Sequence, residues 1–391
     1  MSVAAGNEQR SGQWLAQPGF GVYVHIPFCL RRCHYCDFNA YQHQDELYVP
    51  YVDALVRDIQ RWEGAARPAS SVFFGGGTPT VLDAPSLGRI LRAVRERIGI
   101  AAGAEITVEA NPETVDAHFF EALLKQGFNR VSIGVQSLVP GVLERLGRTH
   151  SAERAFQALS DARRAGVADL NADLIYGSPW ERPADWRASL DGVIDAGPDH
   201  VSAYALTVEE GTPLARLVAT GKVVDVDPDL QADRYEWAQE RLAAAGYQRY
   251  EISNWARPGR ASRHNVLYWS AGDYLGFGAG AHGHLSGRRW WSLRLPREYI
   301  GAVRRGESTL EGSERLDADE RAAEALVLGL RLASGIDVSE FASRFGPRAL
   351  DSRAPQIASL ERDGLVAASA GRLRLTDRGT ALANDVAARL L

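Results

Sequence analysis

The sequence predicts an α/β fold: a partial (β/α)6 barrel followed by a smaller C-terminal domain that is helical and winged-helix-like. Three observations carry this. Short β-rich runs alternate with longer amphipathic stretches from Gly21 onward, the pattern of a parallel sheet with crossover helices. There are six such units, fewer than a closed eight-unit barrel needs. After about Glu311 the chain reads as helix, helix, short strands and a final helix, and LERDGLVAASAGRLRLTDRGTALANDV has the cadence of a winged module.

The predicted strands are Val22–Ile26, Ser71–Phe74, Glu105–Glu109, Val131–Val135, Leu170–Ile175 and Val201–Leu206. Helices are expected at Tyr51–Trp62, Ala84–Arg97, Asp116–Lys125, Ala152–Ala165 and Pro183–Ala196. Residues 226–310 are less regular, with one helix near Gln231–Ala244. The expected organisation is a loose tail over 1–19, a barrel over 20–225, a connecting region over 226–310 and a cap over 311–391.

The 391 residues carry a formal net charge of −5, which gives no basic footprint for nucleic acid. From Glu311 to Leu391 there are 11 Arg, no Lys and 13 Asp plus Glu. That balance favours a packing cap over a DNA reader. No apolar run is long enough to span a bilayer, so membrane association is peripheral at most. The first nineteen residues lack the apolar stretch of a signal peptide, and a cytoplasmic chain is expected.

All three cysteines lie in Cys29-Leu-Arg-Arg-Cys33-His-Tyr-Cys36. An odd, tightly packed set is a poor disulfide framework and points to metal or redox chemistry. Three thiolates hold three irons of a [4Fe–4S] cubane and leave the fourth open. The competing reading is zinc, which needs a fourth ligand, and His34 lies inside the loop.

Polar or glycine residues follow one strand after another, at the edge where parallel sheets bind ligands. Gly75-Gly76-Gly77-Thr78-Pro79-Thr80 permits close backbone approach, although a plain turn is an alternative for such a loop. Glu109, Gln136 and Asp173 sit on the third, fourth and fifth predicted strands or at their ends, and Arg148 follows in LERLGRTH. Each alone is ordinary; together they converge on one mouth.

The cysteine spacing, with Tyr35 before the last ligand, resembles the radical S-adenosylmethionine (SAM) superfamily. In that superfamily the amino and carboxylate groups of SAM chelate the open iron, and electron transfer from the cluster yields a 5′-deoxyadenosyl radical. From YVHIPFC through the glycine loop, VEANP, SIGVQS and DLIYG, the chain resembles the oxygen-independent coproporphyrinogen III oxidase family within it. That resemblance implies SAM contacts at Tyr23, Gly77, Thr78, Glu109, Gln136, Arg148, Asp173 and Ala205, with residues 276–281 closing the site. True oxidases of this family carry a further cysteine two residues after the third ligand, where this chain has Phe38. A heme chaperone branch carries H-N-x-x-Y-W, matched by His264-Asn265-Val266-Leu267-Tyr268-Trp269. The branch implies heme binding, delivery to respiratory or other heme proteins, and dimerisation, with no catalytic residue assigned.

The resemblance makes His264 the candidate heme ligand, and neutral imidazole suits heme iron; residue type alone favours a satisfied core histidine with the aromatics as core. In a helix Tyr268 shares its face, and Trp255 and Trp269 offer flat apolar surface. His282 and His284 are competing ligands, and His25 is read as orienting the cluster loop. Two further readings stay open: oxidative decarboxylation of coproporphyrinogen III, and a zinc-stabilised regulatory protein.

Overall fold

The computed structural model describes Leu15, residues 18–64 and residues 67–391. Apart from Leu15, Pro18 and Gly19, the tail expected over 1–19 lies outside the described residues.

Six parallel strands form the centre, in chain order: β1 (Phe20–Ile26), β2 (Ala69–Gly76), β3 (Ile100–Ala110), β4 (Arg130–Gln136), β5 (Asp169–Tyr176) and β6 (His200–Ala205). Side chains alternate across a strand, and this alternation divides the barrel. Val24, Phe74, Val108 and Val131 occupy successive registered positions and are buried in the core shared with the helices. The alternate positions are mostly polar: Tyr23 and His25, Ser71, Thr107 and Glu109, Ser132, Asn171 and Asp173, His200 and Ser202. The lumen is therefore hydrogen-bonded, while the outer face is packed with apolar side chains.

The five expected helices appear as Tyr48–Gln60, Ala84–Arg97, Ala117–Gln126, Ala152–Ala165 and Pro183–Ala196. Asp83, Asp116 and Ser151 cap the second, third and fourth by accepting from backbone N–H groups of the first turn. Two short helices, Pro140–Leu146 and Pro213–Ala219, have no counterpart in the sequence reading.

The connecting region departs most from expectation. It supplies β7 (Gln248–Glu251), β8 (Asn254–Ala256), β9 (Asp273–Phe277), β10 (His282–Leu285) and β11 (Arg288–Ser292). With β12 (Leu310–Arg315) they extend the sheet to twelve strands, in the order β12-β11-β10-β9-β1-β2-β3-β4-β5-β6-β8-β7. β9 runs parallel to β1, with Tyr23 opposite Gly276. A Cβ at Gly276 would stand 1.8 Å from the His282 carbonyl oxygen, so only glycine lets β10 fold back so tightly. β12 belongs to this large sheet, although the sequence places it in the cap.

The helix Arg263–Trp269, which carries the H-N-x-x-Y-W motif, closes the barrel floor. Glu105, 3% exposed, accepts the backbone N–H groups of Arg263 and His264 at 3.0 Å each. It also faces the buried Arg130 guanidinium at 3.7 Å. Glu105→Ala is expected to cost about 3 kcal/mol or more, because it strands a buried cation and leaves two N–H groups of the floor helix without their acceptor. Thermal or urea unfolding of the variant measures this.

The cap contains the helices Ala318–Leu330, Val338–Phe345, Ala354–Arg362 and Ala383–Leu390 around a small antiparallel sheet. Its strands are β13 (Ile336–Asp337), β14 (Val366–Ser369) and β15 (Arg372–Leu375), in the order β13-β15-β14. Leu326, Phe341, Leu360 and Leu373 of the cap share a core with Tyr250, Ala256 and Val266 of the connecting region. The cap is thus packed onto the connecting region by apolar burial.

Candidate functional site

The loop after β1 carries the cysteines. Backbone bonds pin it: Cys29 N–H to the Tyr41 carbonyl (2.9 Å), His34 N–H to that of Leu146 (3.0 Å) and Leu214 N–H to that of His34 (2.9 Å). The unforeseen helix Pro140–Leu146 therefore has a task, since its last carbonyl holds the loop. The His34 ring is turned away, with Nδ1 3.0 Å from the Arg145 carbonyl oxygen. It is not placed as a fourth ligand. Among the described residues no three His, Cys, Asp or Glu side chains converge on one ion, as a tetrahedral zinc site requires. A cubane needs no such convergence, because each cysteine takes a different iron.

The three cysteines border a cavity of 470 Å³. Gly77, Thr78, Glu109, Gln136, Arg148, Asp173 and Ala205 line the same cavity. Tyr23 does not. Its hydroxyl meets His25 Nδ1 at 3.0 Å, and its ring lines an adjoining cavity of 840 Å³ that shares Phe38, Gly76 and Glu109 with the first. His25 holds the loop as expected, with Nε2 donating to the Asn39 carbonyl at 2.9 Å. Asn39 in turn donates to the carbonyls of Ala279 and Arg294, so residues 276–281 brace the cysteine loop from behind.

Burial and charge shape the cavity. Burial pushes the Cys29 thiol up and the Cys36 thiol up to about 11, so binding iron must displace their protons. Thr78 Oγ1 donates to Cys29 Sγ at 3.5 Å, and Arg148 Nη1 to Cys33 Sγ at 3.6 Å. Hydrogen bonds to sulfur are a lever on cluster potential. The half-buried Arg148 also donates to Asn111 Oδ1 (2.7 Å) and the Gly134 carbonyl (2.9 Å), and its Nε has no partner among the described residues. Burial, then the neighbouring Asp173, push Glu109 up to about 8, against one bond from Gly76 N–H at 3.2 Å. Burial also raises Asp173, opposed by the bond it accepts from Ser132 at 2.7 Å. A carboxyl pair with raised affinity for protons, beside an arginine and three sulfurs, suits a ligand with both cationic and carboxylate ends. These groups fit a [4Fe–4S] cluster and SAM.

Two site features were not read from the sequence. Asn111 joins the glycine loop to Arg148 by donating to Thr78 Oγ1 at 2.9 Å; its only signal was its place in VEANP. Gln136 has φ +62° at an irregularity in the β4–β5 register, a left-handed conformation costly for a residue with a Cβ. Gln136→Gly is expected to stabilise the ligand-free protein by up to about 1 kcal/mol while weakening SAM binding. Melting and SAM titration of the same variant check both signs.

The heme-ligand expectation meets a different geometry. His264 is 1% exposed, and Nδ1 shares a hydrogen bond with Ser71 Oγ at 2.9 Å. Its ring lies against Phe73 (centroids 5.2 Å apart) and Tyr268 (4.6 Å), so the shared face with Tyr268 is present. Burial pushes its pKa down to about 3, and the imidazole is neutral. The ring is enclosed in this arrangement. Trp255, 1% exposed, packs beside Tyr235 and is core rather than a porphyrin surface.

Residues 23–191 match the radical SAM superfamily, and residues 316–382 match the HemN C-terminal domain. The chain is 41% identical to heme chaperone HemW of Mycobacterium tuberculosis, over 95% of each chain. It is 35% identical to heme chaperone HemW of Escherichia coli, over 94% of this chain and 97% of that one. The chain belongs to the heme chaperone HemW family. Membership of this radical SAM family implies a [4Fe–4S] cluster and SAM. The solved structure of coproporphyrinogen III oxidase (HemN) from Escherichia coli, described as a radical SAM enzyme, is similar at TM-score 0.82 and 25% identity. That likeness covers 98% of this chain and 92% of HemN. This chain therefore shares HemN's architecture from barrel to cap. No helix among the described residues is long and apolar enough to cross a membrane.

Proposed function

We propose that this chain binds heme and hands it to acceptor heme proteins, respiratory enzymes among them. Cys29, Cys33 and Cys36 hold the cluster, and Gly77, Thr78, Glu109, Gln136, Arg148, Asp173 and Ala205 contact SAM, with Tyr23 acting through His25. When bound, the cluster and SAM supply one-electron chemistry at an open iron. The chain's own residues do the positioning: Arg148 bridges Cys33 and Asn111, Glu109 offers a carboxyl group, and His25 fixes the cysteine loop through Asn39.

The observation that carries the reading is the likeness to named heme chaperones along nearly the whole chain. Phe38 supports it. It stands where coproporphyrinogen oxidases place a further cysteine, is 64% exposed, and lies at the junction of the two cavities. It offers apolar surface and no thiol. The chain is also proposed to be cytoplasmic, to form homodimers and to touch membranes peripherally at most, without binding nucleic acid.

The test has two arms. Hemin added to the reconstituted protein should give a shifted Soret band, and an apo heme protein mixed in afterwards should acquire that heme. Coproporphyrinogen III supplied with SAM and a reductant should remain unconverted. Efficient formation of protoporphyrinogen IX would overturn the proposal in favour of the oxidase.

A further inference from the structure

With His264 enclosed, the proposed heme cargo needs another seat, and the structure contains a cavity built for one. It measures 530 Å³, lies between the sheet extension and the cap, and falls within the usual range of about 300–1,000 Å³ for small-molecule pockets. We infer that it is the heme-binding site, with His284 as axial ligand and arginines at the rim for the propionates. The inference rests on the reading of the chain as a heme carrier.

The imidazole is prepared for iron. His284 Nδ1 lies 3.3 Å from the Gly272 carbonyl oxygen and 3.6 Å from Asp273 Oδ1. A carbonyl can only accept, so Nδ1 carries the proton and Nε2 keeps its lone pair. Heme and metal histidines are held by such a backbone or carboxylate partner on the far nitrogen. Burial lowers the His284 pKa and favours the neutral ring. The side chain is 17% exposed, against the sealed His264.

The walls suit a flat, apolar macrocycle. Tyr268, Trp269, Tyr274 and Phe345 line the cavity, with Leu316 and Leu328. The last two residues of the H-N-x-x-Y-W motif thus face this space while its histidine faces the floor. Charge completes the match. Arg67, Arg289, Arg321 and Arg344 line the cavity against the carboxylates of Asp273 and Glu324. Glu314 also pairs with Arg289, which leaves a single positive charge in excess, and propionates bind here by displacing solvent-exposed ion pairs. Arg289 is engaged by Glu314 and Glu324, and Arg344 by the Ser270 and Ala271 carbonyls. Arg67, whose side chain is 64% exposed and pairs with Asp273 at 3.5 Å, and the exposed Arg321 stand at the rim. A rim open to water also lets the cargo leave.

Geometry further ties the cavity to the cluster. The Tyr268 and Tyr274 rings, 4.6 Å apart, line both this cavity and the 840 Å³ cavity that contains Glu109. One aromatic wall separates the two.

The test titrates hemin into the full chain and reads the Soret band together with electron paramagnetic resonance. His284→Ala should raise the heme Kd at least about tenfold and remove the histidine signature. His284→Met should keep binding with an altered ligand signature, and circular dichroism and melting of both variants check folding. Arg67→Glu with Arg321→Glu should weaken hemin severalfold yet leave the dimethyl ester of heme unaffected. His282→Ala should bind as the unaltered protein does. If the protein binds heme and His284→Ala binds it with the same affinity and spectrum, or His282→Ala loses it instead, the site is wrong while the carrier reading stands. If the unaltered protein binds no heme, the carrier reading itself fails.

Discussion

Replacing Cys29, Cys33 and Cys36 together by Ala is expected to leave a folded chain with no [4Fe–4S] signal and SAM affinity reduced to background. Two features separate folding from loading. The loop is held by backbone bonds to Tyr41, Leu146 and Leu214 and by the His25–Asn39 bond, none of which involves sulfur. Cys29 is also a small buried side chain that Ala fills in part, so the cost to folding is modest. The cluster, by contrast, has no other donor set nearby, since His34 is bonded elsewhere. Iron and sulfide analysis with electron paramagnetic resonance, beside a melting curve, separates the two effects. A full signal in the triple variant would show the ligand assignment to be wrong.

SAM affinity should rise about tenfold per pH unit from pH 6 to near 8 and then level off, with Glu109 responsible. The free protein holds Glu109 at about 8 because burial and Asp173 disfavour its charge. At pH 6 the carboxyl is therefore almost wholly protonated. A ligand carrying positive charge binds the carboxylate form, so binding releases a proton, and each unit below 8 costs about 1.4 kcal/mol. Above 8 the proton is already gone and the dependence ends. Glu109→Gln should flatten the profile and weaken binding about tenfold or more at pH 8. Isothermal titration in buffers of different ionisation enthalpy reads both the affinity and the released proton. An unchanged slope in the variant would move the titration to another group.

Much of this site was legible because its signals are local. The C-x3-C-x2-C spacing, the glycine loop and the polar ends of β3, β4 and β5 lie within short stretches whose strand or loop character follows from alternation and turn chemistry. Cys29, Thr78, Glu109, Gln136, Arg148 and Asp173 therefore reached one cavity as expected. What escaped was relational. Asn111 matters only because Thr78 and Arg148 both come to it. The helix Pro140–Leu146 matters only because its last carbonyl faces His34. Gln136 reveals its strain only in its φ angle. The motif histidine is a ligand candidate only through the family resemblance, which carries no information about the Ser71 hydroxyl that meets it 193 positions away.

By itself the sequence determined the six-unit barrel, the cysteine loop with its open corner, and the strand-end residues facing it. It did so because strand period, helix caps and ligand spacing are encoded in neighbouring residues. The tertiary structure alone decided that β9 lies beside β1, that the floor helix encloses His264, and that the extension and the cap leave a space lined by His284 and arginines. Those outcomes depend on which distant surfaces are buried against one another. Burial is set by the sum of apolar contacts and the need to pair every buried polar group, and no short stretch of chain holds that sum.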